Sequence, residues 1–190
     1  MRKFYLFVLA ALLVAMKISA QDFEYGGLKY SVIDATEKTV AVVGVGDAFG
    51  DVTIPGSVSY DGNDYSVTKI GKQAFSKDGL NSIILPEGLL EIEESAFSSC
   101  WGLQSLTIPA SVNKIAPRII EGCSDLKSLS VATGNKNYDS RDGINAIVET
   151  SSNKIVVGTG AVTTIPSSIL GIGEYAFYNL SNLIYSFLPR

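Results

Sequence analysis

Between Lys69 and Pro189 the chain writes two short phrases alternately, four times each. One reads KIGKQAF (69–75), EIEESAF (91–97), KIAPRII (114–120) and GIGEYAF (171–177). The other reads LNSIILP (80–86), LQSLTIP (103–109), LKSLSVA (126–132) and LIYSFLP (183–189). Pro86 and Pro109 stand 23 residues apart, as do Pro166 and Pro189. A unit of that length cannot bury its own apolar edge, so unit must stack on unit to form a continuous core.

The phrases also say what each unit looks like. Leu103, Leu106 and Ile108 end in a two-residue alternation, which predicts a strand with one buried face. Pro109 cannot donate to a ladder and closes that strand. The other phrase carries the chain around the far side, with the small Ala96 permitting close approach and Phe97 filling the centre.

The pattern IGxxAFxxCxxLxxLxIPxxVxxI resembles the BspA-like leucine-rich repeat family of bacterial secreted and surface proteins. It is carried by Ile70-Gly71, Ala74-Phe75, Leu80, Ile83 and Leu85-Pro86, then by Ile92, Ala96-Phe97, Cys100, Leu103 and Ile108-Pro109. It returns at Ile172-Gly173, Ala176-Phe177, Leu183 and Pro189. The third copy departs with Ile119-Ile120 for Ala-Phe and Ala132 for Pro, the fourth with Leu180 for Cys. The resemblance implies a β-rich α/β solenoid, a right-handed leucine-rich repeat stack with short helical turns and a parallel sheet on one side. Its insert phrase is also matched, by Asn137 to Ile147.

Three regions are expected: a signal peptide at 1–20, a β-rich N-terminal cap at 21–68, and the repeat solenoid at 69–190. The first has a basic head (Arg2, Lys3), an apolar run from Phe4 to Met16, and small residues at Ser19-Ala20. That is the layout of a cleaved export signal rather than a membrane span. In the cap, GLKYSVI, TVAVVGV, DVTIPGSVSY and YSVTKI read as strands, the last two joined by a DGND hairpin turn. Within the array, about 133–163 is an insertion, where NAIVET and KIVVGT read as an antiparallel hairpin projecting from the stack.

Charge and composition exclude several functions. Without residues 1–20 the chain keeps 12 basic against 19 acidic residues and no basic run, so it suits neither nucleic acid nor an anionic membrane surface. Histidine is absent, which removes Ser-His-Asp and Cys-His nucleophiles and most zinc sites. Paired carboxylates could act without it, but Glu91, Glu93 and Glu94 lie in turns, as on a solvated face. GVGDAFG (44–50) has the wrong spacing for a phosphate loop and reads as a hairpin turn. Asn135, Asn137 and Asp139 could wrap calcium, yet the bidentate Glu of a calcium loop is missing, and Asx turns are the favoured reading. No catalytic, metal or cofactor residue is assigned, and no cofactor is expected.

Cys100 and Cys123 are one period apart, so their backbones should lie roughly 4.8 Å apart, within reach of a disulfide. Because other coils hold Asp78 and Leu180 in that slot, buried thiols serving as small apolar fillers are favoured. Trp101, the single tryptophan, stands where other coils have Gly79, Ser124 or Ser181. It is either a recognition anchor or packed over a neighbouring turn.

If Leu103, Leu106 and Ile108 point inward, the outward columns are Asn81, Gln104 and Lys127; Ser82, Ser105 and Ser128; and Ile84, Thr107 and Ser130. This polar, nearly uncharged face suits weak, extended contact with a protein or glycan. The expectation is an exported, non-catalytic binding module at the bacterial surface, its partner a host or bacterial surface protein or glycan. A structural envelope component is the alternative, and a carboxylate-based hydrolase a remote one. No membrane insertion follows signal cleavage on this reading. The last strand, with Ser186 in a leucine slot, leaves a C-terminal edge open to self-association.

Overall fold

The computed structural model describes residues 22–76 and 79–180. The expected signal segment at 1–20 and the last strand at 183–189 lie outside the described residues. Among those described, the strands are β1 (Asp22–Tyr25), β2 (Leu28–Asp34), β3 (Thr39–Val45), β4 (Gly50–Thr53), β5 (Ser57–Tyr60), β6 (Asn63–Ile70), β7 (Leu80–Ile84) and β8 (Glu91–Ile92). They continue with β9 (Ser105–Ile108), β10 (Lys114–Ile115), β11 (Ser128–Val131), β12 (Tyr138–Asp139), β13 (Ala146–Glu149), β14 (Lys154–Gly158) and β15 (Gly171–Ile172).

Each coil is extended twice, and the extended runs pair in parallel with equivalents in a neighbouring coil, except that β7 and β9 lie side by side without forming a ladder. The Leu-x-x-Leu-x-Ile phrase gives β4 beside β7, with Val52 opposite Ile83, and β9 beside β11, with Leu106 opposite Leu129. The isoleucine that opens the other phrase gives a further ladder, Ile70 opposite Ile92 and Ile92 opposite Ile115. Register therefore advances by one repeat per rung. In place of the expected single parallel sheet, the leucine phrase gives two separate ladders, β4–β7 and β9–β11, and the isoleucine phrase a third, β6–β8–β10. Pro86 and Pro109 open the turns between the two sides, with Leu89 N–H bonded to Pro86 O and Val112 N–H to Pro109 O, both at 3.3 Å.

The expected α/β character and helical turns are not found; apart from a 3-10 turn at Arg141–Gly143, the described coils cross without helix. The crossing at 93–100 is a chain of three-residue turns, with Ala96 N–H to Glu93 O, Ser98 N–H to Ser95 O and Cys100 N–H to Phe97 O. A left-handed residue interrupts each crossing at the same place: Gln73 (φ 57°), Ser95 (57°), Arg118 (61°) and Tyr175 (63°). Left-handed backbone cannot propagate a right-handed helix. The remaining N–H groups reach the next coil instead, Phe75 to Ala96 O and Phe97 to Ile119 O, each at 2.8 Å. The polar groups a helix would pair internally are thus paired between coils.

The cap is continuous with the stack. Two tight hairpins build it, Gly26-Gly27 (φ 56° and 78°) joining β1 to β2 and Asp61-Gly62 (48° and 71°) joining β5 to β6. Paired left-handed residues match the twist of the flanking strands. β3 pairs antiparallel with β2 and parallel with β6, so it covers the outer edge of the first rung. With both edges of β3 occupied, the segment 44–50 cannot be the hairpin turn expected of it. It carries the chain from the isoleucine side to the leucine side, and β4 pairs with β7. Phe23 stacks on Tyr60 at 4.1 Å and on Tyr30 at 5.5 Å, sealing the first layer.

The inserted hairpin forms as expected, β13 against β14, but it does not project. Ile147 and Val157 enter the main core, while Ala146, Val148 and Ile155 join a second cluster with Val162 and Ala176. β14 pairs in parallel with β15, Ile155 opposite Ile172, in the manner of the regular coils. Gly158 holds the place of a phenylalanine there: a Cβ on it would lie 2.1 Å from the Phe177 ring, which fills that space from the following coil. On the other side Tyr138 Oη accepts a bond from Ile115 N–H at 3.1 Å, capping the rung that β10 leaves open. The insertion is a distorted coil, not an appendage.

Charges line the isoleucine ladder. Glu91, on β8, pairs with Lys69 of β6 at 2.9 Å and with Lys114 of β10. The Lys114 ammonium, and then Lys69, hold the Glu91 carboxyl below its ordinary value against the opposing effect of burial. A lowered carboxyl stabilises the fold above its unfolded-state value, and that contribution is lost as pH falls through the lowered value. Glu91→Gln should therefore cost up to about 1 kcal/mol at neutral pH, since Lys114 is well exposed. Urea melts should show the difference at pH 7 and its disappearance toward pH 2.

Candidate binding face

β7, β9 and β11 sort their side chains by strand alternation. Leu80, Ile83, Leu106, Ile108 and Leu129 are buried, while Asn81, Ile84, Gln104, Ser105, Thr107, Lys127 and Ser128 are exposed. Two of the outward columns are set directly by register, with Ser105 opposite Ser128 and Thr107 opposite Ser130. Gln104 and Lys127 sit just before their strands, tied by Gln104 O, which accepts from both Lys127 N–H (3.0 Å) and Ser128 N–H (3.2 Å).

Ser82 and Ser130 are half-buried and already engaged. Thr107 Oγ1 and Ser130 Oγ share a hydrogen bond of 3.0 Å, and Ser82 Oγ donates to Asp51 Oδ1 at 2.6 Å. Asp51 is the residue that sequence reasoning missed. It lies on β4 opposite Ser82, with Thr53 opposite Ile84, so the face extends onto the segment read as cap. The signal was present, since DVTIP at 51–55 repeats the strand phrase and its proline. The face consequently carries a carboxylate at Asp51 on one side and an ammonium at Lys127 on the other.

With this geometry in view, comparison with known families is decisive. The family described as the BspA type leucine rich repeat region matches six copies over residues 56–156 and 161–190. The chain belongs to the BspA-type leucine-rich repeat family. A leucine-rich repeat protein from Bacteroides ovatus ATCC 8483 is 28% identical with a TM-score of 0.59, over 81% of this chain and 38% of that one. This chain thus spans well under half of that protein's length. A leucine rich cell surface protein from Faecalibacterium prausnitzii A2-165 is 15% identical with a TM-score of 0.40, over 87% of this chain and 76% of that one. A comparison with curated proteins finds no match.

Other candidate positions find their places in this BspA-type array. Cys100 and Cys123 are buried and not joined by a disulfide. Each thiol donates to a main-chain carbonyl one coil back, Cys100 Sγ to Phe75 O at 2.9 Å and Cys123 Sγ to Phe97 O at 3.0 Å. A small apolar residue carrying a weak donor suits that slot. Asn135 forms the expected Asx turn, its Oδ1 accepting from the N–H groups of Asn137 and Tyr138, both at 2.9 Å. Its Nδ2 donates to Pro109 O and Val112 O, and Asp139 pairs with Arg141, so these groups brace the entry to the insertion. Trp101 is 62% exposed and stands beside Gly122 and Ser124 of the next turn. Among the described residues, no helix is long and apolar enough to cross a membrane.

Proposed function

We propose that this chain is a non-catalytic binding module, exported to the bacterial surface or beyond, whose right-handed stack of coils holds a protein or glycan against the open face of β7, β9 and β11. One observation carries the reading. Gln104, Ser105, Thr107, Lys127 and Ser128 form a regular exposed array of amide, hydroxyl and ammonium groups, while the apolar side of the same strands is fully used by the core. Such a surface supplies hydrogen bonds at a fixed spacing and no deep pocket, so its contacts are individually weak and gain from many copies acting together. The family and the leading segment at 1–20 support export; recovery of a mature protein beginning near Gln21 is the check.

The binding half is tested by the double substitution Gln104→Glu and Ser105→Arg. Both side chains are exposed, so the melt should stay within a degree or two of wild type. Retention on an immobilised extracellular-matrix extract or a mucin-glycan array should be lost. A ligand retained equally by wild type and double variant would move the site off this face.

A further inference from the structure

We infer that the groove beside Trp101 binds a neutral sugar ring, at a site separate from the strand face. Trp101 is the chain's single tryptophan. One coil further on, its position is held by Ser124. A large ring beside a column of small side chains leaves a groove of about 240 Å³, walled by Trp101, Gly122, Ser124, Gly160, Asn179 and Leu180. Gly122 (φ 73°) and Asn179 (φ 55°) are both left-handed turn residues at equivalent places in the regular crossings. The third and last crossings and the insertion therefore build the groove jointly, and its shape follows from the stack.

The lining selects the ligand class. Its volume is below the several hundred cubic ångströms of pockets that enclose drug-sized molecules, and suits one ring. Among the described residues no carboxylate, ammonium or guanidinium lines it, so a charged ligand would meet no partner there. A purely apolar ligand would strip water from the Asn179 amide and the Ser124 hydroxyl without replacing their bonds. A pyranose meets both demands. Its C–H face carries slight positive charge and lies well on the negative face of an indole. Its hydroxyls both donate and accept, as do an asparagine amide and a serine hydroxyl. Gly122 and Gly160 present no side chain to hold the ring away. Cys123, at the base, directs its thiol to Phe97 O and leaves the polar recognition to its neighbours.

A single tryptophan makes the site report on itself. The intact protein is titrated with the methyl glycosides of glucose, galactose, mannose and N-acetylglucosamine, following tryptophan emission and its quenching by acrylamide. At least one should give a saturable change and shield the indole, with a dissociation constant on the order of millimolar for a single ring. Asn179→Ala should weaken that binding by about five- to tenfold, the effect of one lost hydrogen bond. Ser124→Arg, which fills the groove from an exposed position, should abolish it with the melt unchanged. The Gln104→Glu, Ser105→Arg double variant should bind the sugar as wild type does, so this site can fail or stand independently of the strand face. The inference is overturned by the absence of any saturable change up to about 100 mM, far above the expected range. It is equally overturned by saturable binding that survives Ser124→Arg.

Discussion

Phe97→Ala should unfold the array as a whole rather than loosen one coil. Phe97 is fully buried, and its ring stacks on Phe75 at 5.6 Å with the planes 15° apart. Its N–H bonds Ile119 O in the next coil, and its carbonyl accepts both Cys100 N–H and the Cys123 thiol. Truncating a buried phenylalanine costs about 3–5 kcal/mol through lost transfer energy and the cavity left behind. That is a large share of the 5–15 kcal/mol, roughly, that holds a domain folded. Each coil touches only its neighbours, so failure of the central one separates the cap from everything after it. Circular dichroism should show a melt lowered by well over ten degrees or lost altogether. A cooperative transition within a few degrees of wild type would show that the coil tolerates the void.

Ile147→Asp should be as damaging, and it discriminates an integrated hairpin from a projecting one. Ile147 is fully buried on β13 and belongs to the main core with Val157 and Tyr138. A carboxylate there has no counter-ion, and burying it unpaired forces either protonation or local unfolding, a loss beyond about 4 kcal/mol. Thr150, at the tip of the same hairpin, supplies the control. It is half-buried, with its hydroxyl on Lys136 O and Asn137 O, so Thr150→Ala should cost only about 1 kcal/mol. Soluble, cooperatively melting Ile147→Asp protein would return the hairpin to the surface.

What could be read from the residues alone followed from pattern length. Leu106 and Ile108 alternate with polar neighbours for long enough to declare a strand and its inward face, and the outward residues then followed by counting. Glu91-Ile92 and Lys114-Ile115 are two residues each, too short for any periodicity to register, so the isoleucine ladder was invisible. The insertion was misplaced for a different reason. AIV at 146–148 and IVV at 155–157 are continuous apolar runs, the mark of strands covered on both faces; their hairpin signal was read and that mark was not. Asp51 was missed because the cap boundary was drawn after it. The helical turns implied by the family resemblance met no warning in the residues, because the left-handed positions are filled by Gln73, Ser95, Arg118 and Tyr175, none of them the glycine that normally announces such a backbone.

Those four positions have a consequence of their own. A left-handed backbone costs each of these residues about 1–2 kcal/mol relative to glycine, and the stack sustains it because the bonds between crossings over-determine the turn. In return the array keeps a side chain where glycine would leave none. The recurring backbone angle repeats the direction of launch, so Gln73, Arg118 and Tyr175 reach the surface along one side like fittings on a rack, while Ser95 is buried. Neighbouring fittings can then be matched to one another. The Arg118 guanidinium lies 4.8 Å over the Tyr175 ring and 5.8 Å from that of Tyr178, while also pairing with Glu94. New surface chemistry can be mounted on this side by changing single residues, with the buried isoleucines and phenylalanines left as they are.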